Sequence, residues 1–172
     1  TVGLVEVDER RIANVQTKFK GWIEKLFVNF TGTPVNYGEP LFSVYSPDLL
    51  TAQEEYLLAL KGGERPVQGM FGEELTQSNE DLLEAARRRL ELWDVPEQEI
   101  QRLTETRIPS KTLTIDSPVE GIVLNKNAFV GMNVEPGMNI FTIADLSHIW
   151  VMADIYEQDI SWIKIGQKAS LA

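Results

Sequence analysis

The sequence predicts an α+β protein in which a small β-sandwich of two related halves is interrupted by an antiparallel helical hairpin. Three observations lead there. The two flanks share the pattern G-x-x-V-x-x-G-x-x-[LI]-F, as Gly32, Val35, Gly38, Leu41 and Phe42 in one and Gly131, Val134, Gly137, Ile140 and Phe141 in the other. Between them the apolar residues switch to helical spacing. The charge shifts as well, since residues 48–107 carry 14 acidic and 7 basic side chains, which is −7 of the chain's −10.

Short strands account for the first flank. Val2, Leu4, Val5 and Val7 form a brief apolar stretch closed by Asp8-Glu9-Arg10-Arg11, and Ile12, Val15 and Phe19 follow before Gly21. Ile23, Leu26 and Val28 lead into a turn-rich passage with Gly32, Pro34, Gly38 and Pro40, then into Leu41-Phe42-Ser43-Val44. Gly and Pro every few residues, with β-branched and aromatic residues between them, mark strands joined by tight turns and exclude a long helix.

The middle third reads as helices. Ser46 can cap an orphan amide, Pro47 suits the first helical position and Asp48 complements the helix dipole. Leu49, Ala52, Tyr56 and Ala59 recur at spacings 3, 4 and 3, a coiled-coil seam, and Lys61-Gly62-Gly63 is expected to stop the helix. Ser78 is expected to cap a second helix, whose Leu83, Ala86, Leu90 and Trp93 repeat that spacing. Asp94-Val95-Pro96 then starts a short third helix with Ile100 and Leu103 facing inward. Isolated helices of ~15 residues are marginal in water, so each seam needs the other. An antiparallel hairpin about 22 Å long, at roughly 1.5 Å per residue, meets that need.

In the repeat, Gly21 and Gly121 each precede an apolar strand, Trp22-Ile23 and Ile122-Val123. The intervals 3, 3 and 3 match without a gap, while the leading interval is 11 residues in one copy and 10 in the other. The two Gly residues of each copy are expected at positive φ, and the Val between them is expected to face the core. One copy alone buries too little surface to fold, so the two must pack on each other about a pseudo-twofold axis.

Composition excludes much chemistry. A chain of 172 residues at charge −10 lacks the clustered cations that nucleic acid demands. It has no Cys and one His, which removes thiol catalysis, Cys-ligated zinc and any site with two imidazoles. No apolar run reaches the ~18 residues of a membrane span, and the chain opens on no signal peptide.

Each candidate site has a plainer alternative. Met132 and Met138 offer soft thioethers to Cu(I) or Ag(I), but ligation needs two or three converging sulfurs, and a Met more often fills a gap. His148 can bind metal or titrate near neutrality, yet beside Ile149 and Trp150 it reads as a strand-edge residue. Glu54-Glu55 and Glu73-Glu74 resemble paired catalytic carboxylates, but lie on an acidic insert where solvated faces are the rule. Lys61-Gly62-Gly63 lacks a phosphate-binding pattern. Arg87, Arg88 and Arg89 offer a partner surface, although consecutive residues fan around a helix and pairing with Glu84 and Glu91 is the plainer reading. Trp22, Trp93, Trp150 and Trp162 read as core or junction residues. No residue set points to catalysis or to a cofactor.

Further stretches carry a resemblance. The two half-motifs are similar to the split halves of a biotinyl/lipoyl-like domain, and a hairpin between them resembles the periplasmic adaptor subunits, or membrane fusion proteins, of tripartite efflux pumps. Ser46-Pro47-Asp48-Leu49-Leu50-Thr51-Ala52-Gln53-Glu54-Glu55-Tyr56-Leu57 and Ala86-Arg87-Arg88-Arg89-Leu90 resemble the S-P-x-L-x-x-A-Q-x-E-Y-L and A-R-x-R-L stretches of the heavy-metal, CusB-like branch. The stretch from Ile143-Ala144-Asp145-Leu146 through Trp150-Val151, with Tyr156-Glu157-Gln158-Asp159 and Gly166-Gln167, is similar to that family's crossing from lipoyl module to β-barrel.

The resemblance implies a first barrel strand at 1–8, lipoyl-like halves at 9–45 and 108–145, a hairpin at 46–107 and an incomplete β-barrel at 146–172. It implies a non-enzymatic adaptor of the periplasm, associated with the inner membrane. Its partners are an inner-membrane RND exporter, an outer-membrane channel facing the hairpin end around residues 61–78, and further copies of itself in a ring. Copper, silver, zinc, cobalt or cadmium is the implied substrate. Hinges are implied near Ser46, Pro109 and Leu146. The resemblance also implies a fragment, lacking the rest of the barrel and an N-terminal Met-rich stretch. No Lys has the setting of a lipoyl or biotinyl carrier. Other readings are an adaptor for drug efflux or protein secretion, a carrier subunit, and a metallochaperone.

Overall fold

The computed structural model describes residues 3–63 and 72–170, with the backbone alone at 72–75. The chain forms β1 (Gly3–Val7), a 3-10 turn (Glu9–Arg11), β2 (Ile12–Val15), β3 (Gly21–Leu26), β4 (Pro34–Val35) and β5 (Pro40–Tyr45). Helices α1 (Pro47–Gly63), α2 (Gly72–Leu92) and α3 (Glu97–Thr106) follow. The second flank supplies β6 (Thr112–Asp116), β7 (Gly121–Lys126), β8 (Asn133–Val134), β9 (Phe141–Ala144), β10 (Ile149–Ala153) and a 3-10 turn (Glu157–Trp162).

Two four-stranded antiparallel sheets, in the orders β2-β9-β7-β4 and β6-β5-β3-β8, make the sandwich, and β1 pairs with β10 in a separate ribbon. The halves interleave. Strand β4 of the first repeat pairs with β7 of the second, and β8 of the second pairs with β3 of the first. Backbone bonds repeat the exchange: Ile23 N donates to Met132 O (2.9 Å) as Val123 N donates to Thr33 O (3.0 Å), and Gly131 N donates to Ile23 O (2.8 Å) as Gly32 N donates to Val123 O (2.7 Å).

The repeat glycines divide into two kinds. Gly32, Gly38, Gly131 and Gly137 have φ of +82°, +76°, +85° and +83°, the left-handed region expected of them, with open space where a Cβ would go. Gly21 and Gly121 are instead pressed onto a neighbouring strand. A Cβ on Gly121 would lie 2.5 Å from Ala144 O, and one on Gly21 would collide with Tyr45 O. Val35 and Val134 face inward as expected, beside the fully buried Ile23, Leu41, Phe42, Val123, Ile140 and Phe141.

Ser46 caps α1: its Oγ accepts from Leu49 N (3.2 Å) and its carbonyl accepts from Leu50 N (3.1 Å). Leu49, Ala52 and Tyr56 are buried along the seam, as is Leu90 of α2. One helix boundary differs from expectation. Helix α2 begins at Gly72, six residues before Ser78, because residues 73–77 hold no breaker and the helix extends through them. Helix α1 ends with the expected Lys61-Gly62-Gly63, whose last residue is also the last one described before residue 72. Gly62 permits a close approach of α2, where Asn79 Nδ2 donates to Gly62 O (3.4 Å) and Asn79 Oδ1 lies 3.2 Å from a would-be Cβ. Since Arg89 of α2 meets Glu55 while Asn79 meets Gly62, contacts run in opposite order along the two helices. Helix α3 starts after Pro96 and buries Ile100 and Leu103, as expected.

Of the tryptophans, Trp93 and Trp150 are half-buried at junctions. Trp22 and Trp162 are 40% and 79% exposed, so they are not core residues. Strand alternation turns Trp22 outward against Tyr45 because Ile23 takes the inward position. Among the described residues no helix is long and apolar enough to cross a membrane.

Candidate functional site

The informative geometry lies where the helical insert and the ribbon join the sandwich. At the root of the insert, Gln53 is buried and grips the returning chain. Its Oε1 accepts from Ser110 N (2.8 Å), while its Nε2 donates to Ser110 O (3.0 Å) and to Leu49 O (3.4 Å). Tyr56 OH bonds Thr104 Oγ1 (2.9 Å), tying α1 to α3. The turn between α2 and α3 rests on the β2–β3 connection through the Phe19 and Trp93 rings, 6.1 Å between centroids, and through Lys18 Nζ to Asp94 (2.9 Å).

The three arginines go three ways. Arg87 takes Glu91 (2.8 Å), as expected, and adds Glu97 (2.7 Å) at the start of α3; these carboxylates raise its pKa. Arg89 crosses to Glu55 of α1 (2.6 Å) and lies 5.1 Å over the Trp93 ring. Arg88 is exposed beside Asp81, Glu84 and Leu92. The expected pairing with Glu84 is absent among the described ion pairs, because Arg87 turns toward α3 and Arg89 toward α1. Lys61, Gly62 and Gly63 form the far end of α1, so the structure does not bring them together with the arginines, which lie nearer the root. Of the expected channel-facing stretch 61–78, residues 64–71 lie outside the described residues.

At the junction with the ribbon, two chain crossings are tied side by side. Asp8 is 2% exposed and accepts from Arg10 N (3.0 Å), Nε (2.9 Å) and Nη2 (2.8 Å); the Arg10 hydrogen bonds hold its pKa at about 2. Arg10 lies 5.6 Å over the Trp150 ring of the opposite crossing. Arg11 pairs with Asp145, and Asp145 N donates to Arg11 O (3.1 Å). Hydrogen bonds from Ser147, then the Arg11 pair, lower the Asp145 carboxyl to about 2. Ser147 Oγ accepts from Arg11 Nη1 (3.2 Å) and contacts His148 Nδ1 (3.0 Å).

Met132 packs half-buried on the core, Met138 is half-buried and His148 is exposed on the ribbon crossing. Among the described residues no three His, Asp or Glu side chains converge as a metal site.

Residues 12–144, which hold the whole sandwich and the insert, match the family described as the CusB barrel-sandwich hybrid domain. The chain belongs to that family. A barrel-sandwich hybrid also describes the interleaved halves. The cation efflux system protein CusB of Escherichia coli K12 is 31% identical over 159 residues, covering 92% of this chain and 35% of that protein. The cobalt-zinc-cadmium resistance protein CzcB of Cupriavidus metallidurans is 25% identical over 181 residues, covering 98% and 34%. The crystal structure of ZneB from Cupriavidus metallidurans shares the fold, with a TM-score of 0.63 at 21% identity over 96% of this chain and 73% of that one. The chain spans about a third of the length of the curated relatives it matches.

Sequence reasoning missed Gln53, the Phe19 and Trp93 contact, the Lys18 and Asp94 pair and the double crossing at Arg10 and Arg11. The 100-residue offset that relates Gly21 to Gly121 was the available signal for one further feature. It relates Thr17 to Ser117, whose carbonyls accept from Gly137 N (3.2 Å) and Gly38 N (2.8 Å).

Proposed function

We propose that the protein containing this chain is a periplasmic adaptor, associated with the inner membrane, that links an RND heavy-metal exporter to an outer-membrane channel. It acts without catalysis. In this reading residues 9–45 and 108–145 are the lipoyl-like halves and 46–107 a helical hairpin. Residues 1–8 and 146–172 begin an incomplete β-barrel, of which the ribbon β1–β10 would be the first pair. The far end of the hairpin, with Lys61, Gly62 and Gly63, would face the channel; Arg87, Arg88 and Arg89 would contact a partner nearer the root; the sandwiches would pack side by side in a ring. The names of the relatives, a cation efflux protein and a cobalt-zinc-cadmium resistance protein, support a metal as substrate.

One observation carries the reading. A long acidic arm leaves β5 and returns on its neighbour β6, so an interleaved body presents a lever without being opened by it. A bridge between two membrane-bound partners needs rigid pieces with short joints, and the connections near Ser46, Pro109 and Leu146 would be such joints. The test is complementation. A strain lacking the full-length gene should lose resistance to copper, silver, zinc, cobalt or cadmium and regain it with the gene. A photo-crosslinker at Lys61 should capture an outer-membrane channel. Unchanged tolerance to all five metals, or restoration of drug tolerance alone, would overturn the metal-adaptor reading.

A further inference from the structure

Helix α2 carries a second seam beside the one it turns to α1. Ser78, Leu82, Ala85, Arg89 and Leu92 recur at spacings 4, 3, 4 and 3, and all are exposed, Leu82 at 58% and Leu92 at 65%. Leu58 of α1, 68% exposed, borders the same face across a groove lined by Ala59, Ala85 and Ala86. Heptad spacing of apolar residues is the pattern of a helix–helix contact, and no helix lies on this face among the described residues. The charges beside it are sorted along the helix: Glu80, Asp81 and Glu84 stand at one end, and Arg87, Arg88 and Arg89 at the other. Arg87 and Arg89 are taken up by Glu91, Glu97 and Glu55. Arg88 has no ion pair among the described residues, and neither have Glu80, Asp81 and Glu84, although Asp81 accepts a hydrogen bond from Gln77 Nε2 (3.1 Å). Asp81 and Arg88 stand one heptad apart on the same flank of the seam.

We propose that a second copy of this chain covers the seam, α2 against α2 and antiparallel, in a two-fold symmetric dimer of hairpins. The register that seats Leu82 of each copy on Ala85 of the other, a large side chain on a small one, also sets Asp81 of each beside Arg88 of the other. By symmetry the ion pair forms twice, once on each side of the axis. An in-register parallel pairing would instead set Asp81 on Asp81 and Arg88 on Arg88, so the charges select direction as well as partner. An apolar stripe alone would accept any amphipathic helix. The sorted charges specify the occupant, because α2 reversed end for end is its own complement. The net charge of −10 opposes self-association at long range, and screening over about 8 Å at physiological salt leaves the local pairs to decide. The inference does not depend on the adaptor reading, since it uses only the surface of the hairpin.

Sedimentation equilibrium of the 172-residue chain tests the contact, and a concentration-dependent dimer is expected. Asp81→Arg or Arg88→Asp alone should weaken it about tenfold or more, because each reversal enters the contact twice and sets like charges together. Both residues are exposed, so the melting temperature should stay in place. The two reversals combined exchange the charges and should restore the dimer. Direction is read by disulfide trapping, since the chain has no Cys and a disulfide between single-Cys variants must join two copies. Leu82→Cys mixed with Ala85→Cys should oxidise to the mixed dimer in preference to either homodimer. A monomer at every concentration up to about 1 mM would overturn the proposal. So would single reversals without effect, a combined variant that stays weak, or a preference for the Leu82→Cys homodimer. Capture of another protein at position 82 by a chain that itself stays monomeric would overturn it as well.

Discussion

The rings of Phe42 and Phe141, equivalent residues of the two repeats, stack on one another at the centre of the sandwich with centroids 5.7 Å apart and 17° between their planes. Both are fully buried, one in each sheet. Truncating either to Ala should cost about 3–5 kcal/mol in urea unfolding. A double-mutant cycle should return a coupling of about 0.5–1.5 kcal/mol. Strict additivity would mean that the two halves do not share one core.

Glycines of the two kinds should respond differently. Gly121→Ala places a Cβ 2.5 Å from the Ala144 carbonyl, a backbone atom that cannot swing away, so a loss at or above the ~1–3 kcal/mol of overpacking is expected. Gly32→Ala meets no atom within 4 Å and carries only the left-handed backbone penalty of ~1–2 kcal/mol. Unfolding midpoints of the two variants decide the ranking, and a costlier Gly32→Ala would contradict it.

Gln53→Leu keeps the volume of the side chain and removes its bonds to Ser110. Orphaning the Ser110 amide and carbonyl should destabilise the protein by about 1–3 kcal/mol. Hydrogen exchange should rise first at Ser110 and the root of α1, ahead of the sandwich core.

Acid should loosen the ribbon junction. Asp8 and Asp145 have native pKa values of about 2 against an ordinary 3.8. A depressed carboxylate pKa means that the unfolded chain binds more protons in this window, so the contribution is complete above pH 3.8 and drains as pH falls toward about 2. Stability plotted from pH 5 to about pH 2 should therefore decline, and Asp8→Asn should flatten part of the slope. An unchanged slope in that variant would show that Asp8 is not coupled to folding.

Met132 packs on the core, and among the described residues no three His, Asp or Glu side chains converge as a metal site. Calorimetry with Ag(I) should accordingly show no tight stoichiometric binding to this chain, and Met132→Leu should leave the trace unchanged. A single-site isotherm abolished by that variant would restore the thioether reading.

Local chemistry was readable from the chain; long-range pairing was not. The Ser46 cap, the positive-φ glycines and the inward Val35 and Val134 each follow from a few adjacent residues, and all are present. The start of α2 was misjudged because Ser78 reads as a cap, while the breaker-free residues 73–77 let the helix begin at Gly72. Strands β4 and β8 have two residues each, too few for any periodicity to announce that they exchange sheets. At the junctions, Lys18 finds Asp94 and Arg11 finds Asp145 only after folding brings distant segments together. Exposure of Trp22 follows from strand alternation, which a reading by residue type ignores.

Tyr45 and Thr112 are cross-strand partners, so the chain leaves the body and re-enters it at the same ladder position. Everything between them is, to the sheet, the loop of an ordinary hairpin. Loop-closure entropy grows only with the logarithm of loop length, about 0.6 kcal/mol per doubling, so heptads can be added to or removed from the projecting part at little thermodynamic penalty to the scaffold. Descendants of such an architecture are free to vary their reach to suit the gap they must span while the base that carries it stays the same.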